Sequence, residues 1–148
     1  MKRLWLTAII TTAMPVAMAD VWVNPGFYSY HLQRDKGFNN VNTGLGVEAS
    51  LTDTYSVTAG VFHNSDRQTS RYVGVYAMPY QFGAVKAGAA IGAFDGYPKM
   101  RDGGWFPAII PTVAWEGSQL GLNVSFIPTV GDRLHGAVTF QLKYKLIP

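Results

Sequence analysis

From Trp105 to Pro148 the chain reads WFPAIIPTVAWEGSQLGLNVSFIPTVGDRLHGAVTFQLKYKLIP, and its last strand decides the fold. Beyond Gly136, one parity carries Val138, Phe140, Leu142, Tyr144 and Leu146, while the other carries Ala137, Thr139, Gln141, Lys143 and Lys145. A period of two with no trace of 3.6 is strand alternation. The segment before it repeats the pattern, with Leu120, Leu122, Val124 and Phe126 on one face and Gly121, Asn123 and Ser125 on the other. The region around Asp132 connects the two.

Alternation does not say which face points inward, because a soluble barrel hides its apolar residues and a membrane barrel displays them. Composition decides between the two. A soluble surface is about 25–35% charged, whereas this whole chain is 14% charged. Its polar strand faces are built from Gly, Ala, Ser, Thr, Asn and Gln, which suit a lumen. The apolar parity then faces lipid, and closing the sheet satisfies backbone groups that hydrocarbon cannot solvate.

At the other end of the chain, Met1, Lys2 and Arg3 make a positive start, residues 4–16 a short apolar run, and Ala17-Met18-Ala19 a small-residue cleavage site. The run is too short to span a bilayer, so residues 1–19 read as a secretory signal and 20–148 as one exported domain. The formal net charge of +3 and the pI of 9.2 shrink once Lys2 and Arg3 are set aside. A nearly neutral mature chain gives no argument for nucleic acid. The chain has no cysteine and three scattered histidines without metal-ligand spacing, so neither a disulfide framework, a metal nor a cofactor is expected.

Eight strands are expected, at 21–33, 44–51, 54–64, 70–78, 84–94, 105–116, 119–127 and 136–146. The predicted fold is therefore an all-β, eight-stranded, antiparallel up-and-down transmembrane barrel, expected to be monomeric. Strand lengths near the ~9–11 residues that cross a bilayer on a tilt fit this. Trp22, Tyr28, Tyr55, Tyr76, Trp105 and Trp115 are candidates for interfacial girdles. The connections alternate: short at Thr52-Asp53, Pro79 to Gly83 and Gly117-Ser118, longer and more charged at 34–43, 65–69, 95–104 and 128–135. In outer-membrane barrels the short turns face the periplasm and the long loops the outside.

That topology brings His31, Asn64, Ser65, Asp66, Arg101, Asp102, Asp132 and Arg133 to one outer rim. A histidine beside a serine can serve as general base and nucleophile in acyl transfer. Taken singly, His31 equally suits a polar strand end and Ser65 a turn. His63 shares the parity of Val57 and Val61 and is expected to face lipid. Pro107, Pro111 and Pro128 each remove a ladder donor. They are expected either to weaken the wall beside a lumen lined by Gly88, Ala90 and Gly92, or simply to end strands at the rim.

The spacing of WFPAIIP, GLNVSFIP and GAVTFQLKYKL, with Tyr30-His31 and Phe62-His63-Asn64-Ser65 before them, resembles the lipid A palmitoyltransferase family, the PagP-like outer-membrane barrels. The resemblance implies transfer of an acyl chain from a phospholipid to lipid A. It also implies catalytic roles for His31 and Ser65, with Asn64 at the family's aspartate position and Asp66 two residues on. Asparagine cannot supply a negative charge to an imidazolium, and no amphipathic helix stands between Asp20 and the first strand. Outer-membrane phospholipid and lipid A are the partners this implies. A noncatalytic barrel whose charged rim binds lipopolysaccharide or a surface partner, and a soluble periplasmic lipid carrier, are the competing functions.

Overall fold

The computed structural model describes residues 20–148; the signal segment read at 1–19 lies outside them. Eight strands, β1 (Val21–His31), β2 (Val41–Ser50), β3 (Tyr55–His63), β4 (Thr69–Phe82), β5 (Val85–Phe94), β6 (Phe106–Glu116), β7 (Leu120–Ile127) and β8 (Ala137–Ile147), pair in sequence order. Pairing of β1 with β8 closes the barrel, and every neighbouring pair is antiparallel. The described residues contain no α-helix, only the single 3-10 turns Arg34–Lys36 and Arg101–Gly103. Asp20, Pro148 and the three short turns lie at one end. The long connections 32–40, 64–68, 95–105 and 128–136 lie at the other.

The faces follow the alternation of β8. Leu142 is 62% exposed while Lys143 beside it is 2% exposed. Leu45, Val47, Val57, Val61, Val73, Ile91, Ile109 and Val113 are likewise exposed on the outside. A continuous apolar exterior around a closed sheet is the construction of a transmembrane barrel. Arginine in place of Leu142, halfway along β8, is expected to destabilise the barrel by about 2–4 kcal/mol in a bilayer. Urea titration of the protein folded into phospholipid vesicles measures this; an unchanged midpoint would place that face against something other than lipid.

Four expectations change. Trp22 and Tyr76 do not belong to a girdle: Trp22 is completely buried, and the Tyr76 hydroxyl accepts a bond from lumenal Asn123 at 3.3 Å. The exterior aromatics are instead Tyr28, Tyr30, Trp105 and Phe126 toward the loop end and Tyr55, Tyr80, Phe82, Trp115 and Tyr144 toward the termini. Strand β4 continues through Pro79 to Phe82, so the turn is the two residues Gly83-Ala84. Its ladder to β5 shifts register between Ala77 and Tyr80, the irregularity that accommodates a residue without an N–H. Strand β2 starts at Val41, three residues earlier than expected, because Phe27 and Tyr28 of β1 pair with Asn42 and Val41.

A break in β1 sets the direction of the site histidine. Trp22 and Asn24 point inward on even parity, but beyond Pro25-Gly26 the inward residues are Phe27, Ser29 and His31. Register shifts against both β2 and β8 accompany the change. Gly26 has φ +99°, and a Cβ there would lie 1.9 Å from the Asn42 carbonyl oxygen, so only glycine fits. Had the parity of Trp22 continued, His31 would face lipid.

Inside, the Tyr72 ring fills the space that Cβ atoms at Gly46 and Gly60 would occupy, the Gly60 position being its cross-strand partner. An aromatic ring laid over glycines lets the sheet curve while keeping the wall closed.

Candidate active site

The lumen is divided along its axis. Toward the short-turn end it is filled with charge and amide groups. Lys143 bridges Glu48 and Glu116 at 3.0 and 2.7 Å, Lys86 pairs with Glu116 at 2.8 Å, and Asn123 bonds Glu48 and Gln141. Toward the loop end it is apolar. Phe27, Phe62, Tyr72, Phe94, Phe106 and Tyr97 form a chain of ring contacts with centroids 4.7–6.2 Å apart, running around the wall from β1 to the β5–β6 loop. All of these rings but Tyr72, with Met100, Ile110 and Ile127, border a cavity of about 270 Å³. A smaller one of about 80 Å³ lies below it against Gly74, Ala90 and Gly92. Ala90 and Gly92 thus line the lumen as expected.

Over the large cavity stands His31, 6% exposed. Its Nε2 lies 2.9 Å from Ser65 Oγ and its Nδ1 2.8 Å from Asn40 Oδ1. Because an amide oxygen only accepts, Asn40 takes the Nδ1–H and leaves the Nε2 lone pair facing the serine hydroxyl. The loop segment holding Asn40 is fixed on both sides: Asn40 O accepts from Ser29 N, and Asn39 N donates to Ser65 O at 3.0 Å. The Phe38 ring lies between the His31 and His135 rings, at 4.8 and 4.6 Å.

The four residues singled out from sequence separate into two groups. His31 and Ser65 are hydrogen-bonded partners across 34 positions of chain, and Asp66 borders the same cavity. Asn64 does something else. Completely buried, it accepts from Asp66 N and Gln68 N through Oδ1 and donates through Nδ2 to Ser70 Oγ and the Gly96 carbonyl, tying the β3–β4 loop to the β5–β6 loop. The residue on the imidazole's far nitrogen is Asn40. Asn64→Asp is therefore expected to leave transfer chemistry unimproved and to cost about 1–3 kcal/mol, since a carboxylate would face the buried Gly96 oxygen without a proton between them. A denaturant series on the variant tests this, and a gain in activity at unchanged stability would contradict it. His63 is exposed on the outer face, as its parity predicts.

Two further loop contacts shape the mouth. Asp95 accepts from Arg71 N at 2.6 Å and from Nε at 2.7 Å. Burial alone would raise its pKa, but those bonds and the guanidinium charge hold it below the ordinary carboxylate range. Burial, with the Asp66 charge adding to it, pushes the Tyr97 phenol far above its usual value, so it stays a neutral wall of the cavity.

The cavity also reaches the side of the barrel. Ladder bonds between β6 and β7 are confined to Thr112–Glu116 against Gly121–Ser125, whereas β6 pairs with β5 along its whole length, through both Pro107 and Pro111. From Phe106 to Pro111 the β7 side of β6 is unpaired. Pro107, Ile109, Ile127 and Pro128 border the cavity across this seam, although Ile109 is itself 67% exposed on the exterior. The cavity therefore opens through the wall. Among the described residues no group of three or more His, Asp or Glu side chains is placed to hold a metal ion.

No protein-family model and no curated protein matches the chain. Among solved structures it is similar to the solution NMR structure of de novo designed TMB2.3, with a TM-score of 0.62 at 15% identity over 91% of this chain and 100% of that one. At that identity the likeness concerns the fold.

Proposed function

We propose that this barrel resides in an outer membrane and transfers an acyl chain from a phospholipid to lipid A. The observation that carries the proposal is the hydrogen-bonded Ser65–His31 pair standing over an apolar cavity that opens sideways between β6 and β7. Such an opening admits a hydrocarbon tail from the bilayer without passing it through water, and the aromatic wall desolvates it. The resemblance to PagP-like barrels supplies the acceptor.

In the proposed sequence, Ser65 Oγ attacks the ester carbonyl carbon of the donor as His31 Nε2 takes its proton. The acyl C–O bond to glycerol breaks, and His31 returns that proton to the departing lysophospholipid oxygen. A lipid A hydroxyl then attacks the acyl-serine, gives its proton to His31, and restores Ser65 Oγ–H as the serine leaves. Every proton passes through one nitrogen, which is why its tautomer matters.

Mass spectrometry of lipid A from cells with and without the protein tests the proposal directly. The expected result is one additional acyl chain, with the protein in the outer-membrane fraction and migrating anomalously when unheated. The competing function, a noncatalytic barrel that binds lipopolysaccharide, draws on the exposed charges Arg34, Lys36, Arg67, Lys99, Arg101 and Arg133 at the loop end. It prevails if lipid A stays unmodified in every growth condition.

A further inference from the structure

The side chain of Asn40 completes a serine–histidine–amide relay that no spacing in the sequence announces. We infer that Asn40 is a positioning residue for His31: its Oδ1, 2.8 Å from Nδ1, fixes the imidazole in the tautomer and the ring orientation that let Nε2 accept the Ser65 proton. This rests on the acyl-transfer function proposed above and names the group that makes that pair competent.

Three observations support it. The imidazole has two ring nitrogens and both are engaged, one by a group that can only accept and one by a group that can donate. Thus a single hydrogen-bond arrangement satisfies the whole relay. The second is rigidity. Asn40 is held by its own backbone bond to Ser29, its neighbour Asn39 is bonded to Ser65 O, and Asn39 Nδ2 donates to Val41 O and Asn64 O, so imidazole, serine and amide ride on one bonded unit. The third is exclusion of alternatives: Asn64, the residue that chain position would nominate, has both ends of its amide committed to the β3–β4 and β5–β6 loops. An amide in this role orients the ring without adding charge, as in cysteine–histidine–asparagine proteases.

The test compares Asn40→Ala and Asn40→Asp with the unmodified barrel, each first shown to fold by its heat-dependent migration. The Asn40 backbone bond to Ser29 does not depend on the side chain. With a phospholipid donor and lipid A as acceptor, Asn40→Ala is expected to lower kcat by about 10²-fold with little change in KM, because the wrong tautomer is free to form. Asn40→Asp is expected to keep the plateau rate and to move the acid limb of the pH–rate profile upward by about 1–3 pH units, because a carboxylate at Nδ1 favours the imidazolium that cannot act as base. Asp66, Arg133 and His135 border the same cavity in every variant, so a difference between variants belongs to position 40. The second readout is the ¹⁵N chemical shifts of the His31 ring in the folded protein without substrate. The unmodified protein is expected to show the Nδ1–H tautomer, and Asn40→Ala to lose it. If tautomer and pH limb are the same in all three proteins, Asn40 positions nothing and the inference is overturned. If no protein transfers acyl chains yet the tautomer depends on Asn40, the transfer function falls while the placement of Asn40 stands.

Discussion

Replacing His31 with Ala is expected to lower the proposed acyl transfer by about 10²–10⁴-fold, the usual cost of losing a general base. Ser65→Ala is expected to fall at least as far, since it removes the atom that carries the acyl group in the proposed sequence. The barrel survives both changes. His31 is the last residue of β1 and Ser65 lies in a loop, so neither contributes a ladder partner near the middle of the wall. The Ser65 carbonyl that receives the Asn39 N–H is backbone and remains. Unheated gel migration is therefore expected to stay unchanged while the proposed lipid A acylation is lost. His63→Ala supplies the control, because that ring sits two positions from Ser65 on the opposite face of the sheet. Loss of transfer in His63→Ala equal to that in His31→Ala would mean the chemistry lies on the lipid side of the wall, and the assignment would fall. A double substitution of His31 and Ser65 is expected to cost little more than either alone, because the two act as a unit.

How much of this was legible in the sequence differs from element to element. Strand β8 reads directly, because a surface with lipid on one side and a polar lumen on the other imposes a strict period of two that no turn or cap disguises. The resemblance to PagP-like barrels singles out His31 and Ser65 together, while the loop end that brings both to one rim follows from strand count and turn length. The inward aim of His31 does not. It depends on the parity change at Pro25-Gly26, and a proline-glycine pair inside a strand announces an irregularity without saying on which face the chain resumes. Trp22 is illegible for a related reason: tryptophan suits both an interfacial girdle and a lumenal plug, and only the Lys143 and Lys145 ammonium groups over its ring decide. Asn40 could not be found at all from its neighbours, since Asn39-Asn40 in a connection has the composition of any turn. Its role exists only because the loop folds back over β1. The resemblance sets Asn64 at the family's aspartate position, with Asp66 two residues on, whereas the Asn64 amide is bonded to the loops.

The largest stability effect is expected at Lys143. Its ammonium lies 3.0 Å from both oxygens of Glu48, 2.7 Å from Glu116 and 4.8 Å from the centroid of the Trp22 ring, and Glu116 is shared with Lys86. One side chain of β8 thereby connects β2, β6 and β1 across the lumen, with β5 joined through Glu116. Lys143→Ala leaves Glu48 with only an amide donor, Asn123, beside it, and buries two carboxylates against a single remaining lysine. Breaking a buried ion pair from one side costs about 3–5 kcal/mol, because the abandoned charge stays desolvated. Glu48→Gln together with Lys143→Met removes both members of the most deeply buried pair, and is expected to recover most of the loss because the desolvation penalty disappears with the charges. Urea unfolding from vesicles, followed by tryptophan fluorescence, measures all three proteins on one scale. A Lys143→Ala barrel within about 0.5 kcal/mol of the unmodified one would show that water reaches Glu48 and that the lumen is not closed there. The same variants separate stability from chemistry. The ion cluster lies toward the short-turn end, beyond Asn123 and Gln141 and away from the His31 end of the cavity, so the double variant is expected to carry out the proposed acyl transfer at the unmodified rate wherever it remains folded.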